Sequence, residues 1–291
     1  MKKTVIGSSL LLFLAACIWG VAFVAQSVGM DYMGPFTFNG ARFIIGGTVL
    51  LPLVFVRTGK KKNTEGIPLS LTLKGGICCG LAICAASTFQ QIGIQYTTVG
   101  KAGFITTLYI IIVPVFGLFL HKKVPGKVWV AAVIASVGLY MLCINESFAI
   151  EKGDALVFVC AVLFSIHILV IDYFSPKTDG VVLSCLQFYT AGIICTVWAL
   201  FAEHPAWGQL LQGILPLLYA GVMSCGIAYT LQIIGQKNLD PTVASLILSM
   251  ESAVSVLAGW VILGQALSMK ELFGCGLVFA AVILVQMPGR K

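Results

Sequence analysis

The sequence predicts an all-α integral membrane protein of ten transmembrane helices arranged as two inverted five-helix repeats. Three observations carry that expectation. The 291 residues are 59% hydrophobic and only 10% charged, against about 25% charged in a soluble domain, so the chain cannot cover a water-facing surface. Its apolar residues fall into ten runs of bilayer-spanning length. One long stretch of sequence also recurs 142 residues further on.

The ten spans read as roughly 5–28, 34–56, 70–94, 98–120, 127–145, 153–173, 180–202, 209–235, 242–263 and 270–287. Short connections separate them, punctuated by Gly34-Pro35, Pro125-Gly126, Ser175-Pro176 and Asp240-Pro241. They leave no room for a soluble domain. The longest, Thr58 to Leu69, is a Lys-rich loop.

The net charge of +7 invites a nucleic-acid partner, but the charges sit in short clusters between apolar runs, as the positive-inside rule expects. With the N terminus inside, the cytoplasmic segments hold fourteen Lys and Arg and the other side only Lys101, Lys152 and Lys270. That places both termini in the cytoplasm and the protein in the plasma membrane, with no nucleic-acid partner. The start, MKKTVIGSSLLLFLAAC, resembles a lipoprotein signal ending at Cys17. However, IWGVAFVAQ continues the span beyond it, so processing is not expected.

Gln90, Gly93, Ala102, Ile105 and Gly117 reappear as Gln232, Gly235, Ala244, Ile247 and Gly259. On a helix Gly103, Thr107, Ile110, Pro114 and Gly117 form one narrow stripe, and Ser245, Ser249, Ser252, Val256 and Gly259 form its counterpart. Mostly small stripes suit close helix contact in lipid. Weaker matches, Ala16, Trp19 and Gly20 with Ala161, Phe164 and Ser165, link the first spans at a shift of 145. Five spans per copy put the second copy upside down relative to the first, an arrangement of secondary transporters with a midplane site. The repeats are residues 1–145 and 153–291.

The ten cysteines all lie in apolar runs without CxxC or Cys/His spacing. They read as packing residues, and no disulfide framework, metal or cofactor is expected.

Span nine carries one acid, Glu251, where the first copy has Tyr109. A carboxylate at that depth is costly and by default functional; it suits a proton-coupled antiporter. The competing reading is a structural acid bonded to Ser255 or a neighbouring helix. Ser252, its neighbour on the serine stripe, is a further candidate for the substrate or proton site. Arg42, about 12 Å into span two, either binds a substrate carboxylate, pairs with Glu251, or snorkels to the outer headgroups. Gln90, Gln91 and Gln187 read as interhelical glue, and Gln90, which the repeat keeps, is also a candidate for the substrate or proton site. His167 in span six is either a proton relay or a satisfied core residue. Trp19, Tyr109 and Trp260 are candidate cavity walls, and Lys101 an interfacial cation.

Trp19-Gly20, Gly34-Pro35, Arg42-Phe43, the Ala-Ser-Leu-Ile…Glu251 pattern and its echo at Ala102-Gly103-Phe104-Ile105 resemble the drug/metabolite transporter superfamily, in its EamA-type exporter group. The resemblance spans essentially the whole chain as two tandem EamA units. It implies a ten-helix inverted-repeat carrier without ATP hydrolysis. Members mostly move amino acids, related metabolites or drugs outward, and distant relatives exchange sugar phosphates or nucleotide sugars. Two positions depart from the family. Its usual Glu-Pro is Glu251-Ser252 here, and its Leu-Gly-Glu is Leu263-Gly264-Gln265, with Lys122 at the matching place in the first half.

An enzyme would need a nucleophile and base, paired acids or a metal cluster at one depth. The chain offers one deep acid, a lone His167, and neither HExxH nor GxSxG. A channel would show rings of like residues. The expected mechanism is therefore alternating access. A small molecule binds in a cavity lined by spans one, three, four, six, eight and nine, and protonation of Glu251 biases the rocking.

Overall fold

In lipid a backbone has no water to bond, so apolar spans must close their hydrogen bonds within helices. The computed structural model obeys this. It describes residues 2–59, 68–97, 99–121, 124–143, 151–263 and 268–287, and the Lys60–Lys62 cluster, Lys122 and Gly264-Gln265 lie outside them. The helices run α1 Lys2–Gly29, α2 Pro35–Gly59, α3 Leu69–Ile94, α4 Val99–Thr106, α5 Tyr109–Phe119, α6 Gly126–Cys143, α7 Lys152–Phe174 and α8 Gly180–Ala202. Then follow α9 Trp207–Gln212, α10 Ile214–Leu218, a π-helical stretch Tyr219–Tyr229, α11 Thr230–Gln236, α12 Pro241–Leu248, α13 Met250–Leu263 and α14 Met269–Gln286. Among the described residues, eight helical stretches are long and apolar enough to cross a membrane, and Gly126–Met141 and Leu272–Val285 are shorter apolar helices. The outer surface carries bare apolar side chains such as Phe119, Phe201, Leu215 and Val261, a surface suited to lipid rather than water.

Three stretches expected as single helices are interrupted. The eighth passes through the π-helical stretch, a rare geometry frequent at functional sites. The fourth breaks at Thr107-Leu108 and the ninth at Ser249, positions 142 residues apart. Both breaks carry the same local bonding. Thr107 Oγ1 donates to the carbonyls of Gly103 (3.0 Å) and Phe104 (2.9 Å), and Ser249 Oγ donates to that of Leu246 (2.8 Å). A hydroxyl bonded back to the preceding turn competes with the helix ladder and bends it. The next turn tightens: Ile110 N–H bonds Thr107 O at 3.0 Å, and Ser252 N–H bonds Ser249 O at 3.2 Å. The break therefore needs no proline at Ser252.

Packing between the halves is reciprocal. α3 lies on α7 as α1 lies on the π-helical stretch and α11, and α2 lies along α8. A Cβ on Gly93 would meet Val157 Cγ2 at 2.6 Å, and one on Gly235 would meet Leu12 Cδ2 at 3.2 Å. Those four residues exchange places under the repeat. Phe43 and Phe188, 145 residues apart, stack on each other with ring centroids 5.9 Å apart.

Candidate functional site

Spans one, two, three, four, six, eight and nine converge on one cavity. Arg42 adds α2 to the six spans expected from the sequence.

Glu251 is the second residue of α13, just past the break, and is buried. Its Oε1 accepts a 2.8 Å hydrogen bond from the Tyr109 hydroxyl. Tyr109 in turn opens α5 just past the other break. Two residues related by the repeat thus bond directly to each other. α1 presses onto this point: a Cβ on Gly20 would stand 2.5 Å from Val254 Cβ and 2.8 Å from the carbonyl oxygen of Glu251, so only glycine fits.

Arg42 is 2% exposed, so it does not snorkel to the headgroups. Its Cζ lies over the rings of Phe43 (5.0 Å) and Phe38 (5.6 Å), and its Nε has no partner. No ion pair joins it to Glu251 among the described residues. Trp19 packs on Tyr229 with centroids 4.5 Å apart, forming an aromatic wall. His167 Nε2 lies 3.1 Å from Gln187 Oε1, and among the described residues no hydrogen bond joins it to Glu251.

Ten buried side-chain polar atoms lack a partner among the described residues, and five of them belong to residues that line this cavity: Trp19 Nε1, Gln26 Oε1, Arg42 Nε, His167 Nδ1 and Gln232 Oε1. Buried polar groups are ordinarily bonded. The residues of this wall thus hold both unpaired donors and unpaired acceptors.

The EamA-like transporter family matches residues 7–144 and again 151–287. The chain belongs to this family. It is a membrane transporter of the drug/metabolite type, built of two tandem EamA units. An uncharacterized transporter of Archaeoglobus fulgidus is 31% identical over 277 residues, covering 95% of this chain and 84% of the relative. The inner membrane transporter YedA of Escherichia coli is 22% identical, covering 95% and 89%. YoaV of Bacillus subtilis, also named a transporter, is 21% identical, covering 92% of each chain. A solved crystal structure with 20% identity has the same fold, with a TM-score of 0.77 over 96% of both chains.

Of the residues singled out from sequence, this EamA-like transporter brings Glu251, Trp19, Arg42, Gln90, Tyr109 and His167 to its cavity. Gln90 donates there to Thr106 Oγ1 at 3.2 Å. Ser252 is not part of the lining. Its hydroxyl donates to Gly103 O at 2.9 Å and lies 3.2 Å from Thr107 Oγ1, locking the two broken helices together. Ser255 bonds the Ser252 carbonyl rather than Glu251. Trp260 is half-exposed, away from the cavity. Gln91 and Gln187 act as ties, Gln91 donating to the Gln26 carbonyl at 3.1 Å. Among the lining residues that the sequence reading missed are Phe23, Gln26, Thr106, Ser224, Tyr229 and Leu248. Gln26 and Tyr229 carried a usable signal, since each places a polar atom inside an apolar run.

Proposed function

We propose that this EamA-like transporter is a secondary active carrier that exports small organic metabolites, amino acids and related compounds or drugs, across the plasma membrane. The observation that carries this reading is the cavity between the two halves, walled by unpaired donors and acceptors. Transport proceeds by alternating access of two inverted repeats, residues 1–145 and 153–291. The shorter helices α6 and α14 serve as spans five and ten, and both termini face the cytoplasm. The reciprocal contacts of Gly93 with Gly235 and of Phe43 with Phe188 support a pseudo-two-fold axis. Because Tyr109 and Glu251 are equivalent under the repeat and bond each other, that axis passes beside their hydrogen bond. Glu251 there carries the coupling proton, exchanging its bond to Tyr109 for a proton as the halves rock.

Exchange of phosphorylated metabolites is the poorer fit. Arg42 is the one cationic side chain among the described lining residues, with Glu251 facing the same space, so a phosphate dianion would be under-compensated.

The test compares extracellular and intracellular metabolites in cells expressing wild type or E251Q at equal membrane abundance. Export predicts a compound enriched outside by wild type and not by the variant. Equal enrichment by both keeps the carrier and removes Glu251 from the mechanism. No enrichment of any compound, followed by uptake in the same cells, reverses the direction.

A further inference from the structure

Arg42 poses a problem the transport reading leaves open. A guanidinium stays charged at any physiological pH, and burying it without a counter-charge is costly. It is nonetheless 2% exposed, with Nε unpartnered and no ion pair among the described residues. The one acid in the cavity is engaged by Tyr109. Its Cζ lies over the rings of Phe38 and Phe43, contacts that hold the group in place while its Nε–H stays without a partner.

We infer that Arg42 is the carboxylate-binding residue of the cavity and that the substrate is a small organic carboxylate whose apolar part rests on Trp19 and Tyr229. This inference rests on the cavity's being the carrier's binding site and adds the class of molecule it takes. A planar guanidinium edge matches a planar carboxylate with two parallel hydrogen bonds, a geometry a spherical halide cannot use. The Trp19–Tyr229 wall, with centroids 4.5 Å apart, supplies the apolar seat. Gln26 Oε1 and Gln232 Oε1, unpaired acceptors on the same lining, accept from any amino or hydroxyl group the guest carries. With a single cation in the described lining, one carboxylate is neutralised and a second anionic group is not.

The experiment is thermal unfolding of the purified full chain in detergent. It is titrated with sodium acetate, sodium 3-phenylpropanoate, their neutral amides, sodium chloride and sodium methyl phosphate. Wild type, R42K and R42Q are run in parallel so that bulk salt effects cancel. In wild type the two carboxylates raise the midpoint and the amides do not, and 3-phenylpropanoate acts at lower concentration than acetate. The shift disappears in R42Q. R42K keeps the charge without the fork and responds more weakly; it decides the matter if R42Q does not fold. The inference is overturned by a wild type indifferent to carboxylates, by a carboxylate shift surviving in R42Q, by R42K matching wild type, or by chloride or methyl phosphate acting as strongly as acetate. Binding is read here without transport. A protein that binds carboxylates through Arg42 but exports nothing breaks the carrier reading and leaves this one standing.

Discussion

The fourth and ninth crossings are built to one plan and carry different chemistry at their centre. Each breaks at a hydroxyl residue, Thr107 or Ser249, and each tightens in the turn that follows. At the residue two positions on, however, one has a phenol and the other a carboxylate, and the two bond to each other. The same division runs through the cavity wall. Trp19 corresponds to Phe164 at a shift of 145, and Arg42 to Gln187, at the shift that also aligns the helix starts Pro35 and Gly180. Duplication kept what packs and bends, and it kept Gln90 as Gln232 on the lining, but Arg42 and Glu251 have no like-charged counterpart in the other half. A symmetric wall would offer a guest the same group from both sides. This one holds a cation from the first half and an acid from the second.

The largest expected effect tests that division directly. E251Q should reduce export to background in the metabolite comparison, while Y109F, which leaves the acid in place, should cost only several-fold, in line with about 1 kcal/mol for one hydrogen bond. Equal losses would mean that the pair acts as a structural tie and not as an acid with a partner. Exchanging the residues sharpens the point. If both positions flank one axis, the double variant Y109E/E251Y rebuilds the bond and should recover more transport than either Y109E or E251Y alone. No recovery would show that the surroundings of the two positions differ more than their backbones do.

Next in size is the packing that the halves share. G93L and G235L should both lower the thermal midpoint in detergent, each by overpacking of about 1–3 kcal/mol. G93L should be the worse, because its Cβ approaches Val157 to 2.6 Å while that of Gly235 has 3.0 Å to the nearest atom, Ser8 O. A tolerated G235L beside a lethal G93L would break the reciprocity of the two helix crossings.

Much of this was legible in the sequence, and the reasons are specific. Long apolar runs fix helical spans because lipid permits few alternatives. Deep polar residues such as Glu251, Arg42 and His167 find the cavity because lipid tolerates them poorly anywhere else. The breaks in α4/α5 and α12/α13 were hidden, because threonine and serine bend a helix only when their hydroxyls turn inward, and a sequence does not show rotamers. Ser252 was misplaced for a related reason. It neighbours Glu251 in the chain but points about 100° away on the helix, into the contact with Gly103. Arg42 looked able to reach the headgroups by length alone, until Phe38 and Phe43 were seen to hold it inside.

The smallest effect asks whether the two breaks are equal in strength as well as in position. S249A removes one bond, from Ser249 Oγ to the Leu246 carbonyl. T107V removes the equivalent bonds to Gly103 and Phe104 and also takes away the oxygen 3.2 Å from Ser252 Oγ, on the opposite helix. The Ser252–Thr107 contact crosses between helices, where such bonds average about 0.6 kcal/mol, whereas a hydroxyl bonded back within its own helix adds little. S249A should therefore be nearly silent in thermal stability, and T107V should cost roughly one such bond more. Since both breaks lie two residues before the Tyr109–Glu251 bond, straightening either helix should move that bond, and a stability-neutral variant should still show altered transport. If S249A instead costs as much as T107V, the crossing contact between Ser252 and Thr107 contributes nothing. The asymmetry of the two crossings would then reside in Tyr109 and Glu251 alone.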